Sequence, residues 1–344
     1  MITLSVLPSG VALAVTVKQW LRIAIVVAII SITNFLAYHW LFGLGISQRV
    51  YMRDLMFSVI QMDARLKGGE RTLNELIEAG FKRDVDTQVY ENYLHPGTKE
   101  LLGKSKFSTD RELALAITQR LGQADGSVCG LEALGETVFD TRRGKGCCSD
   151  YSKSFLFYAN YLGLPAREVS LFNHTTVEYL NRQTNEWQWL DPYNRVEILD
   201  ASEAPMSMFK IRNSSRFEAL KFRQLPSTGT QIDPRTYAGY SAVHMGTVLY
   251  RKGSNFMEVE NWDIVMRGWG FTKSVRQVVT LVAGPQPEWL MLTTHADYFY
   301  YRTLRSALWL ILGFILLANV IGVLWVSFGL RGDRSYITFD KKIK

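Results

Sequence analysis

The sequence predicts an α+β domain held between two transmembrane helices, and three observations carry that expectation. Windows 23–47 and 306–330 contain no Asp, Glu, Lys or Arg, and each exceeds the ~20 residues needed to cross the hydrocarbon core of a bilayer. Between them, a glycine-bearing turn leads into an apolar pattern at Tyr151, Phe155, Tyr158 and Leu162, which is helical spacing. Two runs follow, 174–179 and 187–191, whose composition and intervening turn residues read as paired strands.

The first window is flanked by residues that favour the membrane interface: Lys18, Trp20 and Arg22 before it, His39 and Trp40 at its far end, Arg49 and Arg53 after it. The second follows Tyr298, Phe299, Tyr300 and Tyr301 and ends at Arg331. Lys18, Arg22, Arg331, Arg334, Lys341, Lys342 and Lys344 lie on the terminal sides of the spans, against Arg49, Arg53, Arg302 and Arg305 on the inner flanks. This imbalance puts both termini in the cytoplasm and the central region outside it, in the periplasm if the source is bacterial. The expected division is a tail (1–20), a first span (21–47), a mainly helical extracytoplasmic segment (48–125), a core (126–230), an extension (231–300), a second span (301–330) and a basic tail (331–344). Asn34 and Asn319 fall at nearly equal depth in the two spans. An amide in hydrocarbon seeks a partner, which is the other Asn, a second subunit or another membrane protein.

Composition narrows the function. The 344 residues include 39 Lys and Arg against 32 Asp and Glu, a net charge of +7, with 47% hydrophobic and 21% charged residues. That balance excludes a largely disordered chain. No basic run is interleaved with aromatics, so nucleic acid is not an expected partner. Three Cys make no disulfide scaffold.

Within the central region, residues 72–79 carry a helical pattern, and Asp110 reads as the N-cap of a helix bearing Leu113, Ala114, Ile117 and Leu121. The run 143–152 then places Cys148 at a helix start, with Gly163-Leu164-Pro165 as its stop. A helix start favours a thiolate and offers free backbone N–H groups to an oxyanion. If 181–184 form a four-residue loop, Asp191 stands opposite His174 across the strand pair, on the same face. A carboxylate beside an imidazole fixes its tautomer and supports the imidazolium. Trp187 and Trp189 alternate with Gln188 and read as core. Residues 247–250 and 275–282 read as strands. Adjacent cysteines lack the spacing of a zinc pair, so no metal is expected. Cys129 has two available partners: pairing with Cys147 braces the turn, whereas pairing with Cys148 blocks it.

Four blocks, Gly146-Cys147-Cys148-Ser149-Asp150-Tyr151-Ser152, Gly163-Leu164-Pro165-Ala166-Arg167, His174-Thr175-Thr176-Val177-Glu178 and Trp189-Leu190-Asp191-Pro192, resemble in order and spacing the motifs of the transglutaminase-like superfamily. The resemblance covers roughly residues 132–193. It implies a papain-like α+β core, with the Cys-bearing helix packed on an antiparallel sheet and the catalytic Cys, His and Asp at Cys148, His174 and Asp191. It also implies acyl-enzyme chemistry on amide or thioester bonds with no cofactor. The expected function is thus a membrane-anchored extracytoplasmic cysteine enzyme: a peptidase, amidase or acyl transferase. Its expected partners are a peptide-like amide substrate, the bilayer and other envelope membrane proteins. The alternative is a catalytically idle scaffold in an envelope or surface-polymer assembly complex.

Overall fold

The computed structural model describes residues 2–4, 13–15, 17–43, 52, 54–62, 69–70, 73–74, 107–127, 129, 134–171, 174–214, 219–225, 247–251, 256–270, 276, 279–280, 283–286 and 288–332. They form two compact units, Met1–Met56 with Thr303–Lys344, and Phe57–Arg302.

The first unit contains a short antiparallel pair, β1 (Ile2–Leu4) and β2 (Leu13–Val15), where the sequence had predicted only a tail. Helix α1 (Val17–Gly43) follows. Among the described residues, one helical stretch, Asp297–Trp325, is long and apolar enough to cross a membrane; the apolar stretch of α1, Ile23–Leu36, is shorter. Asn34 Nδ2 donates to Asn319 Oδ1 at 2.9 Å, the intramolecular pairing among those open to these amides. The helices also approach closely at Gly322, where a Cβ would collide with Ile30 and Val26. Leu, Ile, Val and Phe side chains such as Ile29, Phe35, Leu310 and Phe314 stay exposed on the outer faces.

The second unit is α+β. Its eight-stranded sheet runs in the order β3 (Ser58–Met62), β10 (Trp289–Thr293), β9 (Val248–Arg251), β4 (Ala166–Ser170), β5 (Thr175–Asn181), β6 (Glu186–Asp191), β7 (Val196–Leu199), β8 (Lys221–Gln224). All neighbours are antiparallel except β3 and β10. The sheet therefore reaches beyond the expected core at 126–230. Its edge strand β3 comes from the segment read as mainly helical, and β9 and β10 come from the extension. Pairing between residues more than 200 positions apart leaves no local signature, and a short apolar run does not reveal its period.

One sheet face, with Ala166, Val177, Tyr179 and Leu190, shares a core with α2 (Asp110–Arg120), α3 (Leu134–Arg142) and α4 (Cys148–Leu162). The other face, with Val169, Trp189, Val196, Ile198, Tyr250 and Leu292, packs Met208 and Ile211 of α5 (Met208–Arg212). Arg167 and Glu178, opposite each other on β4 and β5, are fully buried and hydrogen-bonded (Nε to Oε2, 2.7 Å). The Arg167 guanidinium lies 3.8 Å from the Trp187 ring centroid, which accounts for the buried tryptophan read as core.

Thr109, not Asp110, caps α2: its hydroxyl accepts from the Glu112 N–H, while the Asp110 carboxylate takes the Arg182 backbone and guanidinium. Residues 276, 279 and 280, expected in a strand, are helical, and α6 (Phe256–Gly268) precedes them. The helix expected over 72–79 lies outside the described residues except for 73 and 74, which are helical, as does the tail beyond residue 332.

If the Asn34–Asn319 pair stabilises the helix contact, a double-mutant cycle with Asn34→Val and Asn319→Val in detergent should give a coupling of about 0.6–1.7 kcal/mol in the unfolding free energy. Independent, additive effects would show that packing at Gly322 alone holds the two helices.

Candidate active site

Two loops clamp the start of α4. Gly144 takes φ +85°, and a Cβ at Gly122 or Gly144 would run into the backbone of the opposite loop. Across this contact the Gly122 N–H donates to Thr141 O (2.7 Å), Asp125 N–H to Gly144 O (2.9 Å) and Gly146 N–H to Ser127 Oγ (2.7 Å). A Cys129–Cys147 disulfide, with Cα atoms 4.6 Å apart, crosses the same contact and settles which partner Cys129 takes. Asp150 accepts the Cys147 N–H on Oδ2 at 3.0 Å, capping the helix from its own first turn. Cys148 is thus the first residue of α4, partly exposed, and the free thiol of the chain.

His174 directly precedes β5. Leu171 N–H donates to His174 O (2.7 Å), and Ser152 Oγ of α4 donates to Thr175 O (3.0 Å), which ties the helix to the strand start. Asp191 ends β6. The β5–β6 turn is 182–185, one residue later than expected at both ends, because Asn181 stays in the strand and accepts the Gln183 N–H, and Asn185 takes the left-handed conformation (φ +54°). The observed register pairs Val177 with Leu190, so it is shifted by two from the expected one and places Asp191 level with Thr176 instead of His174. A two-residue shift preserves the alternation of faces. His174 and Asp191 therefore still meet, with Nε2 and Oδ2 2.7 Å apart and both side chains fully buried.

The Asp191 carboxylate is held from four sides. Oδ1 accepts the backbone N–H groups of Tyr193 (2.9 Å) and Asn194 (3.1 Å), and Oδ2 accepts Asn194 Nδ2 (2.8 Å) besides the imidazole. Tyr193 sets its ring edge-on to both His174 (centroids 6.2 Å) and Tyr151 (5.3 Å). Neither Tyr193 nor Asn194 was singled out from sequence. The signal was there in Asp191-Pro192-Tyr193-Asn194, an Asx-type turn in which the carboxylate folds back on its own following backbone.

Burial by itself would lower the His174 pKa. The Asp191 carboxylate, through its charge and its hydrogen bond, and then the hydrogen-bonded Cys148 outweigh that and push it up to about 10. With Nε2 given to Asp191, Nδ1 is the ring nitrogen left for Cys148. Burial and then the neighbouring Cys148 and Asp191 charges raise the Tyr193 pKa. Cys129, Cys147 and Asp150 bring potential metal-ligand atoms within 4.8 Å of one another, but the two sulfurs are bonded to each other and offer no thiolate. Thr176, where the resembling family often has an aromatic, accepts the Trp189 indole N–H at 2.8 Å.

Comparison of the chain with protein-family models, curated proteins and solved structures finds no match in any of the three. The site must be read from its own geometry.

Two outcomes follow from that geometry. Alkylation of the native, oxidised protein should modify one cysteine, and alkylation after reduction in denaturant all three; two modified cysteines before reduction would refute the disulfide. The second concerns pH. His174 binds its proton more tightly folded (about 10) than unfolded (6.5), so the stabilisation is complete below 6.5 and is lost as pH rises toward 10. The unfolding free energy should fall across that window, and His174→Gln should flatten the fall; an unchanged slope would mean the imidazole is not held charged.

Proposed function

We propose that this protein is a membrane-anchored cysteine enzyme of transglutaminase-like type, acting outside the cytoplasm on amide or related acyl bonds. The observation that carries the reading is the buried 2.7 Å contact between His174 Nε2 and Asp191 Oδ2, in a chain whose free thiol, Cys148, stands at a helix start. A Cys helix packed against antiparallel strands, with the His and Asp brought from adjacent strands, is also the arrangement that the resemblance implied.

In the proposed reaction Cys148 Sγ attacks the carbonyl carbon while its proton resides on His174 Nδ1. The Cys148 backbone N–H, at the open first turn of α4, faces the developing oxyanion. As the C–N bond breaks, His174 returns its proton to the leaving amine. Water or an acceptor amine, deprotonated by His174, then resolves the thioester. Asp191 keeps the ring oriented and balances its charge throughout, and Asn194 keeps Asp191 in place. No cofactor enters.

The anchoring is part of the same proposal. In this reading α1 and the stretch Asp297–Trp325 are the two spans: their exposed apolar side chains suit lipid, and the Asn34 and Asn319 amides satisfy each other. A disulfide in the second unit suits an oxidising compartment, in agreement with the Lys and Arg distribution that puts both termini in the cytoplasm. Peptide-like amide substrates would then be met in the periplasm or outside the cell.

The test is the second-order rate of Cys148 modification by iodoacetamide at neutral pH. His174→Ala should slow it about tenfold or more, and Asp191→Asn should slow it with the circular-dichroism spectrum unchanged. Rates insensitive to both substitutions would favour an idle assembly scaffold.

A further inference from the structure

The Cys129–Cys147 disulfide stands next to the free thiol of Cys148, and its two sulfurs are not equivalent. Cys129 is exposed, whereas Cys147 is half-buried and immediately precedes the first residue of α4. The Ser149 hydroxyl lies 3.1 Å from Cys147 Sγ and 3.9 Å from Cys129 Sγ. Neither bonded sulfur carries a proton, so the hydroxyl is the donor. Thiol–disulfide exchange is favoured when the attacked sulfur is open to the incoming thiolate and the leaving sulfur is stabilised as an anion. Attack at Cys129 expels Cys147, whose thiolate forms at a helix start beside that hydroxyl. Attack from the other side would have to reach the half-buried sulfur and expel one further from the hydroxyl.

We infer that this disulfide is a reduction site for a dithiol partner, and that its opening lowers the reactivity of Cys148. A partner thiolate attacks Cys129 Sγ, forms a mixed disulfide with it and expels Cys147 as a thiolate. The partner's second thiolate then closes the partner's own disulfide and expels Cys129. Two electrons and two protons pass from the partner to Cys129 and Cys147. The Gly122–Thr141, Asp125–Gly144 and Gly146–Ser127 hydrogen bonds involve no sulfur, so the loop contact does not depend on the disulfide alone. What changes is the group beside Cys148: a neutral bonded sulfur becomes a thiol at the same helix start, and thiolates on adjacent residues repel each other. The inference rests on the reading of Cys148 as the reactive thiol of the proposed enzyme and names the regulation of that site.

The test uses the full chain in phosphatidylcholine nanodiscs, with dithiothreitol as the dithiol and peptide-resolved iodoacetamide labelling after its anaerobic removal. Dithiothreitol should open the disulfide without denaturant, and Ser149→Ala should slow the opening about threefold or more. Reduction should slow Cys148 labelling about tenfold, reoxidation should restore it, and Cys129→Ser should show the slow rate from the start. A disulfide that opens only on unfolding, or a Cys148 rate unchanged by reduction, would overturn the inference. The catalytic reading fails separately: if His174→Ala leaves the rate of the oxidised protein unchanged while reduction still slows it, Cys148 is under thiol control without being activated by His174.

Discussion

A carboxylate and an imidazole, both without access to water, meet at 2.7 Å where β5 begins and β6 ends. Neither charge is tolerable there alone: removing one member of a buried pair typically costs about 3–5 kcal/mol because the other is left unbalanced. The surroundings meet that requirement. Two backbone N–H groups and the Asn194 amide complete the shell of Asp191, and the Tyr193 ring lies edge-on to the imidazole. The strands bring the pair together, and the turn after β6 makes it affordable.

The cysteine depends on a different kind of constraint. A residue at a helix start has to be held there against fraying, and here the holding is done from outside the helix. The 122–127 loop meets the α3–α4 turn through backbone contacts so close that neither Gly122 nor Gly144 has room for a side chain, and the Cys129–Cys147 disulfide crosses the same contact. Cys147 thereby serves as a fixed post beside Cys148, which keeps its thiol free. Ser152 then couples the helix to the start of β5, two turns of chemistry joined by one hydroxyl.

Much of this arrangement was legible from local pattern. The helix at Cys148, its glycine stop and the strand pair all follow from spacing and polarity, which act within a few residues, whereas the Asn34–Asn319 contact was one of three pairings that polarity left open. The register was less accessible. It turned on whether the four-residue loop began at Asn181 or one residue later, and an error there moved Asp191 by two places yet left it on the correct face. The parallel β3–β10 pair was out of reach, because no local periodicity encodes a partner more than 200 residues away.

The account stands on Cys148 acting as a nucleophile toward a carbonyl, and the direct measurement is covalent capture. The full chain, exposed to p-nitrophenyl acetate and read by intact-mass and fragment spectrometry, should carry a single acetyl group on Cys148 that accumulates before turnover and fails to form in His174→Ala. Acetylation confined to lysines, or equal on Cys148 with and without His174, would contradict it.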